Sequence, residues 1–185
     1  MPTPTGSYRK RIINNVCEVF NICAEHTHAR RNFIDALIAQ RFKFIGLGAS
    51  RQTYCKGHVV VKVAYAAGKK YGITVSDQNK VEFENAQKYP EMTPPTFMYL
   101  RSKKRPEYVN GLRSSFTDYK DTGFLSVLVT TYATNICSVD TYGKYSEQIT
   151  QLYQIFYDMR HENIGRIGQR CVARDSGLKS IAAGR

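Results

Sequence analysis

Hydrophobic residues over positions 9–40 recur at the spacing of amphipathic helices. The apolar positions are Ile12, Val16, Val19, Phe20 and Cys23, followed by Phe33, Ile34, Leu37 and Ile38. The polar segment His26–His28 separates the two sets. The pattern therefore predicts two helices joined near these histidines, and residues 1–8, which contain two prolines and a glycine, predict a loose tail before them.

The period changes after residue 41, because short β-prone runs punctuated by glycines extend over residues 42–65. Residues 76–89 return to a helical pattern. Ser76 or Asp77 can cap this helix at its start, and Pro90 ends it. This part of the chain predicts several strands followed by one helix.

Three further apolar runs, at residues 96–100, 124–131 and 170–173, predict strands. Residues 146–157 place apolar side chains on one helical face, and Ser146 is the expected cap. Helical and strand patterns thus occur in separate stretches of the chain. The sequence predicts an α+β fold, either as one compact unit or as two small lobes that share a cleft.

Charge indicates which kinds of partner the chain suits. The 185 residues include 27 Lys and Arg against 15 Asp and Glu, which gives a formal net charge of +12. Such an excess favours nucleotide phosphates, an acidic protein surface or nucleic acid as partners. A solvated basic surface that serves only solubility explains the same charge, and both interpretations stay open.

The five cysteines are scattered, and no secretory signal precedes them. We therefore expect a reduced, cytoplasmic protein. No apolar run approaches the ~20 residues that span a bilayer. The sequence predicts a soluble protein without a membrane partner.

The segment 45–51, with the sequence IGLGASR, lies between two β-prone runs. Small residues such as Gly46, Gly48 and Ser50 would let backbone N–H groups approach phosphate oxygens. A plain hairpin turn explains the segment equally well. Arg51 stands where a GxGxxG pattern has its third glycine, and the flanking strands argue against a dinucleotide-binding turn.

Lys62 lies in the middle of the apolar run 59–64. A lysine there is either on the exposed face of an alternating strand or a buried cation with a dedicated partner. In the second case the predicted helix offers Glu82 and Glu84. Glu82 is favoured, although spacing alone does not decide between them.

Two later segments contain residue types that metal-assisted phosphoryl transfer requires. Asp158 precedes Asn163 closely enough for one loop to present a carboxylate to a substrate hydroxyl and an amide to a metal ion. Asp175 follows in the segment 172–178. Each segment alone could be ordinary polar surface, but their order after Lys62 favours a phosphate-binding cleft.

These segments together resemble the signature segments of protein kinases. DMRHEN at residues 158–163 resembles the DLKPEN form of the catalytic loop, and Arg160 falls where Ser/Thr kinases have a phosphate-contacting lysine. DSG at residues 175–177 resembles the DFG metal-binding segment, with serine in place of phenylalanine. The similarity covers residues 42–178 and is greatest to the small, divergent Ser/Thr protein kinases of bacteriophages.

The resemblance implies a minimal protein-kinase-like fold. We expect an antiparallel-sheet N-lobe over residues 42–132, a much reduced helical C-lobe over residues 133–185, and an extra N-terminal helical segment over residues 9–41. The implied cofactors are ATP and Mg²⁺ or Mn²⁺. The implied catalytic residues are Asp158, Lys62 and Arg160, and the implied metal ligands are Asn163 and Asp175. The implied ATP-binding residues are Gly46, Gly48, Ser50, Arg51, Lys62, Glu82, Thr130 and Tyr132, with adenine received by backbone groups near 129–132.

The implied activity is ATP-dependent phosphoryl transfer to Ser or Thr of a host protein. Phe156 and Tyr157 replace the HR of the kinase HRD motif, so we do not expect regulation by an activation-loop phosphate. Few residues follow Asp175, so we expect the peptide-binding lobe to be largely missing. The missing lobe and the charge of +12 favour an alternative. The alternative is a catalytically weak, kinase-like binding module that docks on and inhibits a host enzyme or nucleic-acid complex. A third hypothesis is a basic nucleic-acid-binding domain unrelated to kinases.

Overall fold

The fold is α+β, as the sequence predicts. The computed structural model of the chain describes residues 6–26, 28–47, 51–64, 69–70, 73–74, 77–103, 125–136, 143–156 and 159–175. Its helices are α1 (Gly6–Cys23), α2 (Ala29–Ala39), α3 (Gln78–Lys88) and α4 (Ser146–Ile155). Its strands are β1 (Lys43–Leu47), β2 (Arg51–Lys56), β3 (Val59–Ala64), β4 (Lys69–Lys70), β5 (Ile73–Thr74), β6 (Thr96–Arg101), β7 (Ser126–Thr131), β8 (Thr134–Asn135), β9 (Ile164–Ile167) and β10 (Arg170–Ala173).

The main sheet has five antiparallel strands in the order β1-β2-β3-β7-β6. A second sheet has three antiparallel strands in the order β10-β9-β8. The described part of residues 133–175 contains this small sheet together with α4, and the predicted strand at 170–173 is β10. Strand β8 is only two residues long, so it carries no periodic signal that a sequence pattern could reveal.

Alternation along β3 separates the two faces of the main sheet. Val59, Val61 and Val63 are buried in the core that α1 and α2 cover. Val60 and Lys62 therefore point to the opposite face, where they line a cleft. Since a slip of one residue would exchange the two faces, the pairing of β3 with β2 and β7 fixes on which side Lys62 lies.

The N-terminal helices share one hydrophobic core with the main sheet and do not form a segment of their own. Val16 of α1 and Leu37 of α2 are fully buried beside the valines of β3. Helix α1 also begins at Gly6, so the prediction of a loose tail through residue 8 was wrong for its last residues. The reason is Tyr8, whose ring packs against the core and is stacked by Arg11.

A second, smaller core lies between α4 and the sheet of β9 and β10. Leu152, Phe156 and Ile164 are its largest fully buried members. Ser146 is the first residue of α4 and not its cap, because Tyr145 precedes the helix without a capping side-chain bond. The Ser146 carbonyl instead accepts a hydrogen bond from the Thr150 hydroxyl. Two cores on opposite sides leave room for a cleft between them.

Two properties of the described ranges bear on the environment of the chain. None of the helices there combines the length and apolar character that crossing a membrane needs. Cys17, Cys23, Cys55 and Cys171 are free thiols.

The α2 contribution to the main core is testable with neighbouring residues of one helix. Leu37→Ala should lower the free energy of unfolding by about 2–5 kcal/mol, because it leaves a cavity under the sheet. Ile38 is 55% exposed, so Ile38→Ala should change it by less than ~0.5 kcal/mol. Urea denaturation measures both; equal midpoints for the two variants would contradict the shared core.

Candidate functional site

A cleft of about 670 Å³ lies between the two cores. Its volume is in the range of small-molecule sites, roughly 300–1,000 Å³. One wall comes from β1 to β3, and the other from the 3₁₀ turn His161–Asn163 and the end of β10. The cleft is lined by Ile45, Gly46, Leu47, Arg51, Thr53, Val60, Lys62, Gln78, Pro94, Thr130, Thr131, Tyr132, Ala133, Asn135, Arg160, Glu162, Asn163, Arg174 and Asp175.

Lys62 is a buried cation with a dedicated partner, the second of the two alternatives that the sequence left open. Its Nζ donates to Glu82 Oε1 at 2.5 Å and to the Arg174 carbonyl at 2.5 Å. Both side chains of the Lys62–Glu82 pair are almost fully buried. Glu84, the other carboxylate considered, is exposed and pairs with Lys80 along α3. The structure thus pairs Lys62 with Glu82, as favoured.

Arg51 is a second buried cation on the same carboxylate. Its Nη1 lies 2.7 Å from Glu82 Oε2, although the N–H bond is not aligned with that oxygen as in a hydrogen bond. Nη1 donates instead to Asn79 Oδ1 at 3.1 Å, and Nη2 donates to Asp175 Oδ1. Arg51 and Lys62 together balance the charges of Glu82 and Asp175, so the cluster of these four side chains is neutral.

A polar network holds α3 in place over the sheet. Asp77 caps the helix by accepting from the Asn79 backbone N–H, and it also accepts from the Ser126 and Tyr99 hydroxyls at 2.8 and 2.7 Å. The Asn79 amide donates to the carbonyls of Lys62 and Ser126, both at 3.0 Å. These bonds fix the first turn of α3 to β3 and β7. Glu82, one turn further along, is thereby directed at Lys62.

Burial and neighbouring charges act on the titration of these groups. Burial lowers the pKa of Lys62, and this effect outweighs the attraction of Glu82. Burial also acts to lower the pKa of Arg51, but Glu82 and Asp175 reverse the direction and raise it. For Tyr99, burial and the hydrogen bond to Asp77 raise the pKa of the phenol. The pKa values of the two cations therefore shift in opposite directions.

Backbone hydrogen bonds hold the opposite wall of the cleft. The N–H of Ala173 donates to Met92 O at 2.8 Å, and that of Arg174 donates to Asn163 O at 2.7 Å. Asn163 and Asp175 therefore lie on adjoining segments that face the same cleft. Gly165 permits this approach, because a Cβ there would lie 2.4 Å from the Arg174 side chain.

The structure brings most of the predicted site residues together. Gly46, Arg51, Lys62, Thr130, Tyr132, Arg160, Asn163 and Asp175 line the cleft, and Glu82 lies buried beside Lys62. Gly48, Ser50 and Asp158 lie outside the described residues. A Cβ on Gly46 would meet nothing within 4 Å, so packing does not require this glycine.

Two of the backbone donors near 129–132, where adenine is expected to meet backbone groups, are engaged within the protein. The N–H of Thr131 donates to Pro95 O at 2.9 Å, and that of Tyr132 donates to His58 O at 2.8 Å. Both donors are used within the protein because β7 continues its pairing to this point. The Thr131 hydroxyl, in contrast, is buried and has no hydrogen-bond partner within the described part of the chain.

Sequence reasoning missed several groups that shape the cleft. Asn79 and the Arg174 carbonyl act through contacts with residues far away in sequence, and Thr131 lines the cleft. The one available signal was Asp77, whose predicted role as a helix cap is confirmed. Polar residues near a helix start are common, however, so the pattern could not identify Asn79 as a partner of Arg51.

Comparison with known proteins adds no family assignment. No protein-family model matches the chain, and no curated protein matches it either.

The shared carboxylate can be tested by removing its charge without changing its shape. Glu82→Gln should lower the free energy of unfolding by about 3–5 kcal/mol, because it leaves two buried cations with insufficient countercharge. Glu84→Gln is the matched control, since its exposed pair with Lys80 is worth at most ~0.5 kcal/mol. Urea unfolding curves measure the free energy of unfolding of both variants. A Glu82→Gln curve that coincides with the curve of the parent would contradict the buried cluster.

Proposed function

We propose that the chain binds ATP in this cleft and transfers the γ-phosphoryl group to a Ser or Thr hydroxyl of a protein. The observation that carries the proposal is the Lys62–Glu82 pair, held at 2.5 Å inside a cleft that Asn163 and Asp175 also line. A buried lysine with its own carboxylate is costly unless it is used. The resemblance of the same residues to protein kinases implies such a use, which is phosphate binding by Lys62.

The cations of the cleft suit a triphosphate. Lys62 and Arg51 lie on the sheet side, and Arg160 and Arg174 line the cleft as well. In the proposal, Lys62 contacts phosphate oxygens while Glu82 holds its position, and Arg160 stabilises charge on the group in transfer. Such pre-positioned donors require no reorganisation when the reaction occurs.

The residues on the opposite wall fit a divalent metal. Mg²⁺ binds through one or two protein oxygens and completes its shell with phosphate oxygens and water. Asn163 and Asp175 supply an amide and a carboxylate on the same cleft, and Asp175 is 45% exposed toward it. Within the described ranges no group of three or more His, Cys, Asp or Glu could form an all-protein site. A bound Mg²⁺ or Mn²⁺ supplies positive charge to the phosphate oxygens.

Asp158 has the role of base in the proposal, on the strength of the resemblance alone. It takes the proton of the substrate hydroxyl, whose oxygen forms a bond to the γ-phosphorus as the bond to ADP breaks. In the proposal the Thr131 hydroxyl, whose residue lines the cleft, contacts adenine, because its oxygen has no hydrogen-bond partner in the described part of the chain.

A kinase-like binding module without transfer activity is the second candidate. One observation favours it: Arg51 already binds Asp175, the carboxylate that would ligate the metal. A protein of this kind would bind a nucleotide or a host partner through the same cleft. The charge of the chain, +12, suits an acidic surface of that partner.

Transfer and binding can be separated with labelled ATP. We expect the parent to transfer label to itself or to a protein in lysate in the presence of Mg²⁺ or Mn²⁺. Lys62→Met and Asp158→Asn should each reduce transfer at least about 100-fold, because they remove charge stabilisation and the proton acceptor. Glu84→Gln is the matched control on the exposed face of α3 and should retain transfer.

Melting temperatures distinguish the remaining outcomes. ATP at 100 times its Kd stabilises a protein by about 2.7 kcal/mol, which a thermal scan detects. Stabilisation without label transfer would favour the binding module over the kinase. If millimolar ATP neither stabilises the protein nor yields transfer, the kinase and a module that binds ATP are both excluded.

A further inference from the structure

Arg51 occupies the point where three parts of the fold meet. It begins β2, contacts Asn79 and Glu82 of α3, and binds Asp175 beyond the end of β10. Its side chain is only 3% exposed. The resemblance implies that Arg51 binds ATP, but its guanidinium lies inside the ion cluster.

The charges of the cluster require both contacts of Arg51. Glu82 contacts Lys62 through Oε1 and faces Arg51 with Oε2. Its single negative charge therefore cannot neutralise both cations. Asp175 supplies the remaining charge. Arg51 therefore approaches Asp175 from the buried side, while the cleft borders the same carboxylate from the open side.

We propose that Arg51 is a resident counter-ion of Asp175 that competes with the divalent cation for this carboxylate. The inference rests on the proposed function, because it takes Asp175 as the metal ligand. Two cations on one carboxylate repel each other in a partly buried site. Metal binding at Asp175 is therefore weak until the guanidinium moves away.

A triphosphate gives the guanidinium an alternative partner. The planar guanidinium of arginine binds phosphate oxygens at least as well as it binds carboxylate oxygens. Arg51 borders the cleft beside Lys62, where the phosphates lie in the proposed function. Nucleotide binding thus releases Asp175, and the metal binds more tightly with nucleotide than without it. Arg51 acts as a positioning residue that makes the two ligands cooperative.

The test measures Mn²⁺ binding without nucleotide, from the electron paramagnetic resonance signal of free Mn²⁺. Arg51→Met should bind Mn²⁺ at least about tenfold more tightly than the parent, because the competing charge is gone. Adding Asp175→Asn to Arg51→Met should abolish the gain. Arg31→Met, which removes the same charge from an exposed position on α2, should leave the parent affinity unchanged.

Equal Mn²⁺ affinities of the parent and Arg51→Met would overturn the inference. Binding of a fluorescent ATP analogue then tells whether the proposed function fails too: retained binding leaves ATP recognition intact, and absent binding removes both.

A measurement on the parent covers the case in which Arg51→Met does not fold. Nuclear magnetic resonance of ¹⁵N-labelled protein follows the guanidinium signals of Arg51 during addition of Mg²⁺ to high millimolar concentration. Signals that move in step with the side-chain amide of Asn163 support the competition. Arg51 signals that stay fixed throughout overturn it.

Discussion

The carboxylate of Glu82 is shared by two buried cations, and this contact fixes the rest of the site. One oxygen holds Lys62 on the central strand β3, and the other faces Arg51 at the start of β2. Charges are buried in proteins only when they are paired. Helix α3, the sheet and the segment that bears Asp175 must therefore keep their relative positions, since each contributes one member of the cluster.

The burial of apolar side chains in the two hydrophobic cores offsets the free-energy cost of burying these charges. Helices α1 and α2 cover one face of the main sheet, and the residues of β3 that point to the other face form part of the cleft wall. The smaller core of α4 and its sheet presents Asn163 and Asp175 from the other side. The apolar faces thus determine the distance between the two walls, and the polar groups between them determine which ligand fits. ATP with a divalent metal satisfies both conditions in our proposal.

Sequence patterns predicted the parts of this structure that depend on local periodicity. The α+β class and a helix capped at Ser76 or Asp77 follow from apolar spacing and capping signals. For Lys62 the pattern left two alternatives, an exposed position or a buried cation with a partner, and the structure shows the second. The contact of Arg51 with Asp175 could not be predicted, because it joins residues 124 positions apart and depends on the packing of the two cores. Strand β8 was missed because two residues carry no period. At Tyr8, a partly buried ring that packs against the core lies in a helix where a tail was expected.

In the proposed function, Lys62 faces the phosphates of a bound nucleotide. An acyl-phosphate derivative of ATP transfers its acyl group to a lysine amine beside the phosphates, and mass spectrometry locates the modified residue. We expect acylation of Lys62 that excess ATP prevents, while exposed lysines such as Lys80 and Lys88 show no protection by ATP. Modification spread over exposed lysines, with Lys62 unmodified and no effect of ATP, would contradict it.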